Sequence, residues 1–520
     1  MNLKNKGKSF SDCNVIPFHG IYSENTDAMK RFFFIPVLLV TVLAACSKDG
    51  FYFGAADFDS MPGFAAEGQG GDKYEDFSDN PFIKTADQNV STFSVDADGA
   101  SYANMRRYIM SGMLPPAGSV RIEEFLNYFT FDYPDPEDDN AVALNAEVGI
   151  CPWNKEHRLM RLGIKGRSVS EAELPDANFV FLVDVSGSMN SSDKLSLLKS
   201  GLKTLVDQLK PTDRISIITY SGTVKKLLES TLVSEATTIK NAISKLVASG
   251  STAGGEALKM AYQEALDNYI EGGNNRVVMG TDGDFNVGVT STDALVEMVQ
   301  DYASKGIYLT VCGFGRGNLN DSMMESISNH GNGNYEYIGS EDDLTKVFVN
   351  ERSEFFSVAN DSKIQITFDK EKIESYRLIG YENRVLDNDD FENDDKDAGE
   401  VGAGQTITAL YELVPVSEGS ADEGTLAVFD FRYKKALDGA SIPLSLDIVP
   451  AEGFPVSDEF SFAAGVAAYG MLLRSSPYKG EATFEQARKL AQKGLGFDPY
   501  GYRADFLKVA DEAAKLFERF

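Results

Sequence analysis

From residue 177 onward the chain alternates unbroken apolar runs with segments of helical periodicity, and that alternation leaves few folds open. "NFVFLVDV" reads as a strand buried on both faces of a parallel sheet. Leu195, Leu198, Leu202, Leu205 and Leu209 then recur at steps of three and four, marking an amphipathic helix that Pro211 stops. "RISIITY", "NRVVMGTDG" and "IYLTVCGFG" repeat the strand pattern, with "EATTIKNAISKL", "GGEALKMAYQEALDNY" and "DALVEMVQDYASKG" as helices between them. Strands alternating with helices build βαβ units, hence an α/β domain over 177–350 with a parallel sheet flanked by helices.

The chain has 520 residues, more than one core accommodates, so further domains flank this one. A formal net charge of -30 repels nucleic acid and anionic lipid headgroups, which makes no nucleic acid the expectation for its partners. Near the N-terminus, Met29, Lys30 and Arg31 precede "FFFIPVLLVTVLAAC", which has the charge and length of a signal-peptide core. Leu43-Ala44-Ala45-Cys46 resembles the bacterial lipobox, which implies lipidation of Cys46 and a membrane-anchored protein of the cell envelope. Residues 1–45 are then a leader, with translation starting at Met29, and 46–80 a Gly/Asp/Ser-containing tether. Residues 81–176 form an N-terminal associated region of two short helices, the first stopping at Gly112, followed by β-leaning segments. Residues 351–455 alternate at period two and read as an antiparallel β module, and 456–520 as a helical C-terminal region. There Thr483 and Gln486 mark a capping box. Cys151 and Cys312 make no disulfide framework, and Cys312 reads as a buried strand residue.

Asp184 closes the first strand of the parallel sheet, with Ser186 and Ser188 in the turn after it. The carboxyl edge of an open α/β sheet is where ligands bind. Thr252, in the Gly-rich turn "ASGSTAGGEA", and Asp282, in "TDGD" after an apolar strand, reach the same edge if the order of strands allows it. Two carboxylates and three hydroxyls are hard oxygens, suited to Mg²⁺, Mn²⁺ or Ca²⁺ over zinc. Few of those donors carry charge, so a bound ion keeps residual positive charge that a carboxylate from another molecule satisfies.

"DVSGSM", the "GST" turn and "TDG" together resemble the metal-ion-dependent adhesion site of von Willebrand factor A (VWA) domains. The resemblance implies a Rossmann-like VWA fold and assigns Asp184, Ser186, Ser188, Thr252 and Asp282 as metal ligands, one of the two acids acting partly through water; Ser251 is a neighbour able to replace Thr252. "SVDADGASYANMRRYIMSGMLPPAGSVRIEEFLNYFTFDYP", "GFGRGNLNDSMMESISNHGNGNYEYI" and "GFDPYGYRADFLKVA" extend the similarity to the YfbK-like group of bacterial A-domain lipoproteins. The expectation is a non-enzymatic protein that binds, through the ion, a protein ligand presenting an Asp or Glu carboxylate.

Competing chemistries are poorly supplied. "DVSGSM" is not G-x-S-x-G, and neither His157 nor His330 sits where a general base is needed; both read as surface or loop residues. "GFGRGNLND" fits neither nucleotide-loop pattern, and "DNDDFENDDKDAGE" fails the EF-hand frame. The alternatives that stay open are a metal-dependent hydrolase with Asp284 as acid/base partner and an envelope assembly or chaperone-like factor. Tyr102, Tyr108, Phe125, Tyr128 and Phe129 fall at helical spacing and read as core.

Overall fold

The α/β domain over 177–350, called A-type for the resemblance its sequence shows, is built on a six-stranded sheet. Its elements are β1 (Ala177–Asp184), α1 (Leu197–Gln208), β2 (Arg214–Tyr220), β3 (Val224–Leu232), α2 (Ala236–Ser244), α3 (Gly255–Asp267), β4 (Asn274–Thr281), α4 (Thr292–Ala303), β5 (Ile307–Phe314), α5 (Asp321–Asn329) and β6 (Tyr335–Ile338). The structure is a computed structural model and describes residues 71–75, 77–250, 255–283, 292–394 and 396–519. Spatial order is β6-β5-β4-β1-β2-β3, parallel except for β3, which runs antiparallel at the edge. All eight residues of β1 and of β4 are buried, as the uninterrupted apolar runs require of strands covered on both faces. Edge strand β3 is missing from the sequence reading. Its pairing with β2 slips register twice, so its residues never settle into the period-two pattern that marks a strand. Lys225 and Lys226 lie along this edge and blunt it against further pairing.

The stretches on either side of the A-type domain interleave. Val90–Ser94 and Ala427–Lys434 pair with opposite edges of Ser357–Phe368, while Arg158–Gly166 lies between Val142–Ile150 and Thr406–Pro415. Both sheets therefore draw strands from before and after the A-type domain, and Phe93, Leu162, Ile364, Tyr411 and Phe429 share one core. A strand that alternates along its length needs a neighbour, not a sequence-adjacent neighbour, which is why this pairing is invisible in the period alone.

Among the C-terminal helices, Asp458–Leu473 is buried on nearly all sides. Phe462 of this helix meets Phe129 and Phe506 edge to face, and Tyr102 meets Phe125 and Phe129 in the same way, so the N-terminal aromatics are core. Thr483 Oγ accepts from the Gln486 N–H at 3.1 Å, forming one arm of the capping box. The Gln486 side chain donates instead to the Pro152 carbonyl at 2.6 Å, tying the helix to the N-terminal stretch. Cys151 and Cys312 are buried free thiols.

Residues 72 and 73, within the stretch read as tether, lie against the A-type domain. Asp72 Oδ1 accepts from the N–H groups of Gly317 and Leu319, and the Lys73 N–H donates to Leu319. Among the described residues, no helix is long and apolar enough to cross a membrane.

Candidate metal centre

Strand order reverses between β1 and β4, which lie side by side with Val183 opposite Gly280. That reversal opens a crevice at the carboxyl ends of the two strands. Asp184 ends β1 and Asp282 follows β4, and both are fully buried at this crevice.

The first loop folds back on its own acid. Asp184 Oδ1 accepts from the Ser186 N–H at 2.8 Å, an Asx turn, and Oδ2 accepts from Thr281 Oγ1 at 3.3 Å. Ser186 Oγ and Ser188 Oγ stand 2.9 Å apart, Ser188 at the exposed mouth. The Ser188 hydroxyl also bonds Asp282, so the loops after β1 and β4 meet through it. The second loop arrives by backbone: Gly187 N–H donates to the Gly250 carbonyl at 3.0 Å and Ser249 N–H to the Val185 carbonyl at 2.7 Å. A Cβ on Gly187 would lie 3.4 Å from that Gly250 oxygen, an ordinary contact, so the space there does not itself require glycine. Thr252, with its neighbour Ser251 and with Asp284, lies outside the described residues.

The two acids experience different fields. Burial pushes the Asp184 carboxyl up to about 6; the Ser186 hydrogen bonds oppose this and the charge on Asp282 adds to it. Burial acts on Asp282 in the same direction, but hydrogen bonds from Lys194 and Asn318 hold its carboxyl below the ordinary value. Lys194 Nζ lies 2.9 Å from Asp282 Oδ2 and 3.0 Å from Asn318 Oδ1.

Four polar residues at this edge escape the sequence reading. Thr281 is adjacent to Asp282, and position alone marks it. Tyr220, which ends β2, is buried and hydrogen bonds Thr281 and Asp184, yet it reads from sequence as strand core. Lys194 reaches the site because its backbone leaves helical geometry (φ -121°, ψ -107°) just before α1, and no helical periodicity encodes that. Asn318 belongs to the Gly-rich turn after β5. That turn closes over the site because Gly283 takes φ +88°, where a Cβ would lie 2.3 Å from the Asn320 nitrogen.

The donor set fits a small hard cation in kind: two carboxylates and two hydroxyls converge, without sulfur or imidazole. Among the described residues, no group of three or more His, Cys, Asp or Glu side chains is placed to hold a metal ion. Of the described residues, two carboxylates and the serine hydroxyls are what an ion here would take, and that all-oxygen set disfavours zinc. The histidines lie elsewhere. His157 Nδ1 is 2.6 Å from Glu412 Oε1, and Glu412 also accepts from Trp153 and the fully buried Arg377. His157 lies in the turn before Arg158–Gly166, as the sequence reading has it, and its ring joins a partly buried hydrogen-bond network there. His330 Nδ1 pairs with the Ser326 carbonyl at 2.8 Å.

A sheet of this order, parallel but for its edge strand β3, with oxygen donors at its switch point, is consistent with a von Willebrand factor type A domain, and residues 178–350 match that family. Such domains serve protein–protein interaction and adhesion and commonly bind a divalent metal. Residues 68–161 match the family described as "von Willebrand factor", and 353–516 that described as "Uncharacterized protein YfbK, C-terminal". The Escherichia coli (strain K12) protein YfbK is 39% identical over 466 residues, covering 85% of this chain and 81% of its own length. The chain belongs to the YfbK family of VWA-domain proteins. Human inter-alpha-trypsin inhibitor heavy chain H3 is 30% identical over 179 residues, 32% of this chain and 20% of that one. A solved von Willebrand factor type A structure from Catenulispora acidiphila aligns at 16% identity and a TM-score of 0.42, over 69% of this chain and 88% of that one.

Proposed function

We propose that this protein is a non-enzymatic, lipid-anchored component of a bacterial cell envelope that grips a protein partner through a divalent ion. The ion is Mg²⁺, or Mn²⁺ or Ca²⁺ in its place, held by Asp184, Ser186, Ser188 and Asp282, with Thr252 from the second loop. The observation that carries this reading is the convergence of Asp184 and Asp282 with two serine hydroxyls at the sheet's switch point. When bound, the ion would supply a Lewis-acidic position: the two carboxylates formally balance its charge, and the other two described donors are neutral hydroxyls that leave it electrophilic. A partner carboxylate fits that position. The chain's own residues orient it: the Asx turn at Asp184 fixes the first loop, and the backbone bonds from Gly187 and Ser249 hold the second beside it. The lipobox-like Leu43-Ala44-Ala45-Cys46 after an apolar run is what supports the envelope location, with Cys46 as the residue that would carry the lipid; these residues lie outside the described residues.

The test is affinity capture from membranes with and without EDTA, comparing wild type with Asp184→Ala. Partners that are retained by the wild-type chain, and lost both in EDTA and in the variant, support the reading. Capture that persists in EDTA overturns it. Metal-dependent phosphatase or esterase activity of the purified protein would favour a hydrolase instead.

A further inference from the structure

We infer that Lys194 is a resident counter-cation of this centre, competing with the divalent ion for Asp282 and so setting the affinity for it. The inference rests on the reading of Asp282 as a ligand. The Lys194 ammonium bonds Asp282 Oδ2 at 2.9 Å, with the side chains 9% and 0% exposed. A pair that buried is little screened by salt and holds unless another cation replaces the lysine.

The place for this lysine is shaped by its surroundings. Asn318 Oδ1 takes a second ammonium proton at 3.0 Å. The aliphatic stem crosses Gly315, where a Cβ would lie 2.1 Å from Lys194 Cε and 2.7 Å from Cγ. Gly315 holds φ +74°, so the turn accepts a glycine for its backbone as well as for the room it leaves. The irregular backbone at Lys194 turns the side chain inward from the start of α1. A break in helical geometry, a glycine and an asparagine are thus all committed to one ammonium.

Charge decides the consequence. Asp184 and Asp282 bring two negative charges to the crevice and Lys194 one positive. A divalent ion arriving with the lysine in place would leave the buried site with excess positive charge and two cations sharing one carboxylate. Exchange avoids that: the ammonium leaves Asp282, its flexible stem carries it toward the exposed mouth beside Ser188, and the ion takes the vacated oxygen. The metal-free centre therefore stays paired and folded, and the ion binds more weakly than its oxygen donors alone would allow.

Mn²⁺ binding to the full-length chain in detergent, followed by the electron paramagnetic resonance signal of the free ion, tests this. Lys194→Met should bind Mn²⁺ about tenfold tighter than wild type, and Asn318→Ala, which removes one of the two holds on the ammonium, a few-fold tighter. Metal-free Lys194→Met should melt below wild type and regain the loss when Mn²⁺ is added. Lys194→Met binding no tighter than wild type, while Asp282→Asn loses the ion, overturns the competition and leaves the metal site standing. Asp282→Asn binding as well as wild type overturns the metal reading at that acid, and the inference with it. If Lys194→Met does not fold, Asn318→Ala decides, and unchanged affinity there overturns the inference.

Discussion

The Arg121 guanidinium donates to Asp321 Oδ2 at 2.7 Å, joining the helix Ile122–Asn127 at its N-cap to α5 of the A-type domain, 200 residues along the chain. The same nitrogen lies 3.1 Å from Glu325 Oε2, Nε bonds Glu124, and Tyr335 Oη donates to the other Asp321 oxygen at 3.0 Å. Arg121 and its three acids are each no more than 4% exposed. Arg121→Met should therefore cost about 3–5 kcal/mol, because it leaves three buried carboxyls without their cation. Urea unfolding measures this, and a loss below about 1 kcal/mol would show that the network contributes no net stability.

Next to this network, Glu123 is 1% exposed and its Oε2 has no hydrogen-bond partner. Burial, then the carboxylates of Glu382 and Asp96, push its carboxyl up to about 8. Below its ordinary value near 4.5 the group is neutral in both the folded and unfolded chain, and its contribution to stability is fully present. As pH rises through about 8 the folded chain must ionise it, and that contribution is lost. Relative to Glu123→Gln, which cannot ionise, wild type should lose on the order of 4 kcal/mol between pH 4.5 and 8. Parallel stability curves for the two proteins would contradict this.

Gly280 stands one residue before Thr281, and a Cβ there would lie 2.5 Å from Leu198 Cδ2. Gly280→Ala should push α1 away from β4, costing about 1–3 kcal/mol in unfolding experiments. Because α1 begins just after Lys194, the same change should also alter Mn²⁺ affinity, which titration calorimetry reads.

Ser188 is the exposed hydroxyl of the set and bonds Asp282. Ser188→Ala should weaken divalent-ion binding about tenfold, and losing its bond to the buried Asp282 should lower metal-free stability by about 1 kcal/mol. Calorimetric titration with Mg²⁺ or Mn²⁺ checks it, and undiminished affinity would remove Ser188 from the ligand set.

By itself, the sequence determined the layers of the A-type domain, because strands buried on both faces must be apolar throughout and helices that cover them must repeat at three and four. It also placed Asp184 and Asp282 at strand ends, where the apolar runs stop. It could not show that β3 pairs along the edge, since bulges erase the period, nor that Val90–Ser94 and Arg158–Gly166 join strands beyond residue 350, since partner choice in a sheet is long-range. Lys194 is the sharpest case. Its residue type and spacing describe a solvated helix start, and only the kinked backbone, the groove over Gly315 and the carboxylate across it turn that lysine into part of the site.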